Sequence, residues 1–318
     1  MTNLKQIINK ANSIAIISHI RPDGDTLGGS LSLYNVCKDM GKNPVLLCES
    51  EIPQYFSFMN GVEIFAQSST DKYDLVFAVD CGDKGRLGSL EGVFLSGKTK
   101  VNIDHHITNT SFGDVNFVNK QASSTCQLLY ELYKKFDIKI TSTIATHLYT
   151  GLSTDTGHFK HSNVNESTFL MAADLTQKGV DLEFITRKLY KENSKDWLRL
   201  LSYALSKIKY YSNDRICLMT LTKQEIDTLN CSFEDTEGLV GYCINQRGVT
   251  IGAIISQHSS TNSYKVSLRS KPDIDVSVAA CSFGGGGHKY AAGCMMSGVL
   301  ETVVEKVVKA LGDCLENE

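Results

Sequence analysis

In Ser13-Ile14-Ala15-Ile16-Ile17-Ser18-His19-Ile20-Arg21-Pro22-Asp23-Gly24-Asp25, an apolar run gives way to an imidazole and two carboxylates. The apolar run reads as a strand buried on both faces, and helical spacing resumes just beyond Asp25. A strand followed by a ligand-rich loop and a helix is where an open parallel sheet places its chemistry. His19, Asp23 and Asp25 can face one point only if the chain turns, and Pro22 and Gly24 supply the bend. The competing explanation is that these are ordinary turn formers, with Asp25 or Thr26 capping the helix.

Further along, the same arrangement recurs. Tyr73-Asp74-Leu75-Val76-Phe77-Ala78-Val79-Asp80 is a nearly continuous apolar strand ending in a carboxylate, and Lys100-Val101-Asn102-Ile103 runs into Asp104-His105-His106. Pro44 to Cys48 supplies another strand. Ile144, Leu148 and Leu152 mark the inward stripe of a helix, and Asp155, three positions on, extends that stripe. A carboxylate on a buried stripe needs a partner. Gly28 and Gly29 lie early in the helix from Thr26 to Met40, where paired glycines fit a backbone packed on the sheet or close to a ligand.

At 318 residues with 42% hydrophobic content, the chain is long enough for two globular domains. A formal net charge of -3 argues against a broad basic surface for long nucleic acid. The ten cysteines are scattered without a CxxC pair and read as small buried thiols in a reducing compartment. The stretch from Met1 to Gln6 lacks a signal-peptide core and no apolar run would span a bilayer, so a cytoplasmic protein without membrane contact is expected. After about residue 213 the pattern changes. Ser263-Tyr264-Lys265-Val266-Ser267-Leu268-Arg269 alternates with period two, implying a half-exposed antiparallel sheet.

The candidates are therefore His19, Asp23, Asp25, Asp80, Asp104, His105, His106 and Asp155. So many carboxylates at sheet ends would repel unless cations neutralise them, and two ions sharing Asp80 would do so. Oxygen ligands suit magnesium or manganese, and imidazole shifts the preference to manganese, with magnesium as a substitute. Two such ions roughly 3.5–4 Å apart suit in-line displacement at phosphorus, which is phosphoester hydrolysis. In the second half, Gly284-Gly285-Gly286-Gly287-His288 exposes backbone amides that can wrap an anion. Arg269 could serve the same end or be a surface residue.

These motifs resemble those of the DHH phosphoesterase family, which is named for a triplet like Asp104-His105-His106. His19-x-x-x-Asp23-x-Asp25 resembles its first motif, Asp80 in Val79-Asp80-Cys81-Gly82-Asp83 the second, the triplet the third and Asp155 in Ser153-Thr154-Asp155-Thr156-Gly157 the fourth. The Arg269-Ser270 pair and the glycine run with His288 are similar to the associated DHHA1 domain. The resemblance implies an α/β catalytic domain with a mostly parallel sheet over 1–187, a helical linker over 188–212 and a smaller α+β substrate-binding domain over 213–318. The active site would lie in the cleft between them.

Within the family, size and layout resemble the bifunctional oligoribonuclease and pAp phosphatase group. That implies hydrolysis of short RNA oligonucleotides (nanoRNA) to mononucleotides and of adenosine 3',5'-bisphosphate (pAp) to AMP, with no long duplex as partner; a homodimer is compatible. By resemblance one manganese binds His19, Asp23 and Asp80, and the other Asp25, Asp80, His105 and Asp155. His106 meets the reacting phosphate and Asp104 orients its neighbours. Arg269, Ser270, Gly284, Gly285, Gly286, Gly287 and His288 hold the nucleotide. Gly29 and Lys160 depart from the family pattern, where Ser and Arg are usual. The rival enzyme reading is a phosphodiesterase for linear or cyclic dinucleotides. A non-enzymatic nucleotide or metal sensor is disfavoured because every ligand is present, and a type II pyrophosphatase because its second domain lacks the glycine run.

Overall fold

The computed structural model describes residues 3–259 and 262–316. The chain folds as two compact units, Met1–Glu192 and Asn193–Glu318. Met1 and Thr2, the start of the stretch read for a signal peptide, lie outside the described residues. No helix among the described residues is long and apolar enough to cross a membrane.

The first unit runs α1 (Leu4–Lys10), β1 (Ile14–Ser18), α2 (Gly24–Asp39), β2 (Pro44–Leu47), β3 (Leu75–Val79), α3 (Glu91–Ser96), β4 (Thr99–Asp104), β5 (Val115–Val118), α4 (Thr125–Lys135), α5 (Ser142–Asp155), α6 (Glu166–Gln177) and α7 (Leu182–Tyr190). Its five strands pair in the order β2-β1-β3-β4-β5, and every pairing is parallel. β1 and β3 are buried at every position, which is why both read as unbroken apolar runs. β5 was not legible in the sequence, because an edge strand only partly covered needs no apolar run. The strand order reverses at β1, whose successor β2 lies on one side and β3 on the other, and ligands of open α/β sheets bind at such a switch point.

The glycines of α2 serve packing. A Cβ on Gly28 would lie 2.4 Å from the His147 carbonyl and 3.1 Å from the Gly151 amide, both on α5. One on Gly29 would meet Val79 of β3 at 2.9 Å. The helix thus sits against both α5 and the sheet.

His147 is 1% exposed, and neither ring nitrogen has a hydrogen-bond partner. Burial alone pushes its pKa down to about 4. The folded state therefore refuses a proton that the unfolded chain accepts near pH 6.5. Below pH 6.5 the unfolded state binds more protons, so stability falls with pH and levels off only below about 4. The expected loss is about 3 kcal/mol, from some 2.5 units at 1.36 kcal/mol each. Urea midpoints of His147→Leu should therefore fall less than wild type between pH 7 and 4.5. Equal losses in both proteins would remove His147 from the account.

The second unit runs α8 (Lys195–Ser206), β6 (Lys209–Tyr211), β7 (Ile216–Leu221), α9 (Lys223–Thr228), α10 (Val240–Ile244), β8 (Ile251–Ser259), β9 (Ser263–Ser270), α11 (Val276–Ser282), β10 (Gly286–His288), β11 (Ala291–Ser297) and α12 (Leu300–Glu316). Its sheet has the order β10-β11-β9-β8-β7-β6. The expected antiparallel sheet is corrected to a mixed one, since β7 pairs β8 in parallel. The half-exposed character holds for β9, whose burial alternates along most of its length, but not for β7, which is buried at all positions but one. One face of the sheet packs with α11 and α12, and the other with α8, α9 and α10.

Residues 188–212 do not stand apart as a connector. Leu200 and Ala204 of α8 are fully buried in the core of the second unit, and β6 pairs with β7. The charged, least apolar stretch Arg187–Lys195 suggests a linker only while the partner strands of the helix that follows it are unknown. The glycine run is not a free loop either. Gly286–His288 pairs with β11, and a Cβ on Gly285 or Gly287 would meet the backbone of that strand at 2.2 and 2.5 Å. Close strand approach accounts for those two glycines.

Candidate metal centre

Strand register assembles the site. Ser18 lies opposite Val79 and Val79 opposite Ile103, so His19, Asp80 and Asp104 follow side by side at the carboxyl edges of β1, β3 and β4. Asp80 takes a left-handed backbone, φ 61°, while its amide still donates to the Ile103 carbonyl at 2.9 Å. That turn aims its carboxylate at three imidazoles. Asp80 Oδ2 lies 3.5 Å from His19 Nε2, and Oδ1 lies 3.8 Å from His105 Nε2 and 3.6 Å from His106 Nδ1.

Asp23 caps α2, accepting from the amides of Asp25 and Thr26 at 3.0 and 3.1 Å. The capping role expected of Asp25 or Thr26 therefore belongs to Asp23, whose same oxygen lies 3.8 Å from His19 Nε2. Asp25 points the opposite way. It is 1% exposed and accepts from the amides of Thr125 and Cys126, at 2.6 and 2.9 Å. These amides open α4, whose N-terminus favours a carboxylate. Asp155 ends α5 and lies 3.4 Å from His105 Nε2 through Oδ2.

Three groups of ligand atoms result, each with its atoms within 4.8 Å of one another: His19 with Asp23 and Asp80; Asp25 with His105 and Asp155; and Asp80 with His105 and His106. Asp104 belongs to none of them. It is fully buried and accepts from His106 Nδ1 at 2.7 Å, from the His106 amide at 3.2 Å and from Asn109 Nδ2 at 2.5 Å. Arg269, Ser270, the glycines and His288 all lie in the second unit.

The electrostatics follow from crowding. Burial and then repulsion from Asp80 push the Asp25 carboxyl up to about 7. Burial, with Asp25 nearby, holds Asp155 well above the carboxylate range. Burial would also raise Asp80, but the His19 hydrogen bond and the charges of His106 and His105 outweigh it and hold the group low. Burial lowers His106, yet Asp104 and Asp80 outweigh it and raise the imidazole to about 9. The donor set fits divalent cations: oxygen and imidazole donors converge, and the carboxylates that repel in their absence would share positive charge.

Three supporting residues were not singled out in the sequence as part of the site. Thr125, read there only as a helix-capping hydroxyl, donates its hydroxyl to Asp80 at 2.8 Å. Asn109 bonds Asp104. Arg86 places Nη2 2.9 Å from His19 Nδ1, which also contacts the Ile20 carbonyl at 2.8 Å. Beyond Asp155, His158 and Phe159 adopt left-handed backbone, strain of the kind that gathers at functional sites. Nothing at the sequence level marks Arg86, which reaches the site only through the turn of Lys84–Leu90.

Residues 13–152 match the model of the DHH family, N-terminal domain, and residues 219–317 that of the DHHA1 domain. The chain is 29% identical over 304 residues to the bifunctional oligoribonuclease and PAP phosphatase NrnA of Thermus thermophilus, covering 94% of this chain and 89% of that protein. It is 28% identical to the protein of the same name from Mycoplasma genitalium, covering 97% and 98%. Among solved structures, an exopolyphosphatase-related protein from Bacteroides fragilis matches with a TM-score of 0.90 at 28% identity, over 97% of this chain and 94% of that one.

Proposed function

Because the chain belongs to the DHH/DHHA1 phosphoesterase family, we propose that it is a manganese-dependent hydrolase of short oligoribonucleotides that also removes the 3'-phosphate of pAp. The observation that carries this reading is the convergence of His19, Asp23, Asp25, Asp80, His105 and Asp155 into adjoining ligand groups sharing Asp80 and His105. Relatives matched along most of their length carry both activities in their names.

One cation would be held by His19, Asp23 and Asp80, the other by Asp25, Asp80, His105 and Asp155, with magnesium as a substitute. When bound, such ions polarise phosphoryl oxygens and lower the pKa of water. The chain's own residues do the rest. Asp104 pins His106 through Nδ1 and raises its imidazole above the ordinary range, a placement that suits it to donate a proton or stabilise charge at the reacting phosphate. Thr125 and the α4 amides fix Asp80 and Asp25 in place. Arg269, Ser270, Gly284 to Gly287 and His288 grip the nucleotide.

The test is purified protein with manganese, scored in parallel for mononucleotide release from short RNAs and phosphate release from pAp. Both are expected, and both should vanish with chelator. Turnover confined to linear or cyclic dinucleotides would transfer the chain to the rival reading. Arg269→Ala should raise KM roughly tenfold for both substrates and leave kcat within a few-fold, the mark of lost uniform binding. An unaltered KM would remove Arg269 from the grip.

A further inference from the structure

Two neighbours make opposite demands on His19 Nδ1. The Ile20 carbonyl lies at 2.8 Å and Arg86 Nη2 at 2.9 Å. A carbonyl only accepts and a guanidinium only donates. The nitrogen therefore serves Ile20 when it carries a hydrogen and Arg86 when it does not. The backbone holds Arg86 in this place. Its carbonyl accepts from the Ile20 amide at 2.9 Å. Two residues on, the chain passes close over Ile20 at Gly88, φ 59°, where a Cβ would lie 2.7 Å from Ile20 Cγ2.

The choice at Nδ1 fixes what Nε2 can do. His19 Nε2 faces Asp80 Oδ2 at 3.5 Å and Asp23 Oδ1 at 3.8 Å, the group proposed to hold one cation. With the hydrogen on Nδ1 and Ile20 as its acceptor, Nε2 presents a lone pair to that position, the usual arrangement of a metal-ligating imidazole. With Arg86 donating to Nδ1, the neutral ring carries its hydrogen on Nε2 and cannot ligate. Seating a cation there therefore breaks the Arg86–His19 bond and sets two donors against each other. It also brings positive charge beside a guanidinium that stays charged.

The other ligand group meets no such opposition. His105 Nδ1 faces the Ala122 carbonyl at 3.1 Å, and among the described residues no guanidinium or ammonium bonds that nitrogen. The two groups also differ in cover. The Asp23 side chain is 56% exposed, against 28% for Asp155, 15% for His105 and 1% for Asp25. Opposite charges attract more weakly where water reaches them.

We infer that Arg86 works against the cation at His19, Asp23 and Asp80, so that the two positions fill unequally. The side of Asp25, His105 and Asp155 fills first and firmly, and the His19 side fills last and exchanges. Arg86 is thus a positioning residue that acts through His19 on the affinity of one ion. This inference rests on the two-cation reading proposed above and adds to it a residue that the motifs did not mark.

The experiment is a manganese titration of the full-length chain after chelator treatment, with unbound manganese read from its electron paramagnetic resonance signal. Wild type should show two classes of site with Kd values roughly tenfold or more apart, because the partner of a ligating histidine moves metal affinity by about 10–100-fold. Arg86→Gln should tighten the weaker class by about tenfold and leave the tighter class within about twofold. Asp23→Asn, which keeps an N-cap for α2, should remove the weaker class alone and so assign it to the His19 side. A merely structural role for Arg86 predicts the opposite sign, since a loosened site binds manganese less well. Unchanged or weakened manganese binding in Arg86→Gln, equal affinities in wild type, or loss of the tighter class in Asp23→Asn overturns the inference. The two readings fail differently. Two ions bound alike by wild type and Arg86→Gln sink the role of Arg86 alone, whereas fewer than two ions bound by wild type sink the two-cation reading itself.

Discussion

Asp80→Asn should lower kcat by roughly a thousandfold or more while leaving the fold intact. Removing one preorganised electrostatic group from an active site already costs about 10²–10³, and Asp80 belongs to two of the three ligand groups. Asparagine is the informative replacement. Position 80 is left-handed, φ 61°, a conformation that Asn tolerates and Ala does not. The amide keeps an acceptor for the Thr125 hydroxyl, and the backbone bond to Ile103 is untouched. What disappears is the charge.

The readout separates that charge from the scaffold. A cation at 100 times its Kd stabilises the native state by about 2.7 kcal/mol, and for a unit near 200 residues each kcal/mol shifts Tm by roughly 2–4 °C. Wild type should therefore gain about 5–10 °C on adding manganese, and Asp80→Asn should lose most of that gain with an unaltered circular dichroism spectrum. Wild-type turnover in this variant, or an undiminished manganese shift, would sink the shared-ligand arrangement.

Asp104→Asn should behave differently, and the contrast is the second large expectation. Asp104 lies in none of the ligand groups, and both of its oxygens are engaged by His106 and Asn109. An amide there has a single acceptor oxygen, so it cannot bond all three donors and must turn an NH₂ group toward one of them. His106 loses the carboxylate that orients it through Nδ1 and raises its pKa. General acid–base groups contribute about 10²–10⁴ to rate, so kcat should fall within that range. The manganese-induced rise in Tm should persist, because the ligands remain. If Asp104→Asn abolishes the manganese response as Asp80→Asn does, then Asp104 supports the metal centre itself and the division between ligand and proton donor is wrong.

Much of this was legible before any coordinates. β1 and β3 carry continuous apolar residues because each is covered on both faces, and such strands announce a parallel sheet; in β4 only Val101 and Ile103 are apolar. A carboxylate or imidazole just past each run is conspicuous because nothing in a buried strand calls for one. The second unit was harder. The parallel pairing of β7 and β8 leaves no mark on either strand, since pairing direction is a matter of which backbone groups meet. The stretch around Arg187–Lys195 looked like a connector because it is charged and poor in apolar residues, and the sequence does not show that the helix after it caps a sheet. The glycine run looked like an anion loop, and two of its glycines are in addition required by the approach of β11.

The sequence by itself marked the candidate ligands and the order of the elements that carry them, because burial and periodicity are written in side-chain types along one dimension. Only the tertiary structure decided what those residues face. Register put His19 beside Asp80. The α4 amides turned Asp25 away from Asp23, two positions earlier. Arg86 and Thr125 met partners that lie tens of residues away. Such contacts depend on distances between chain segments that no local pattern encodes, so they arise only when the sheet and helices close upon one another.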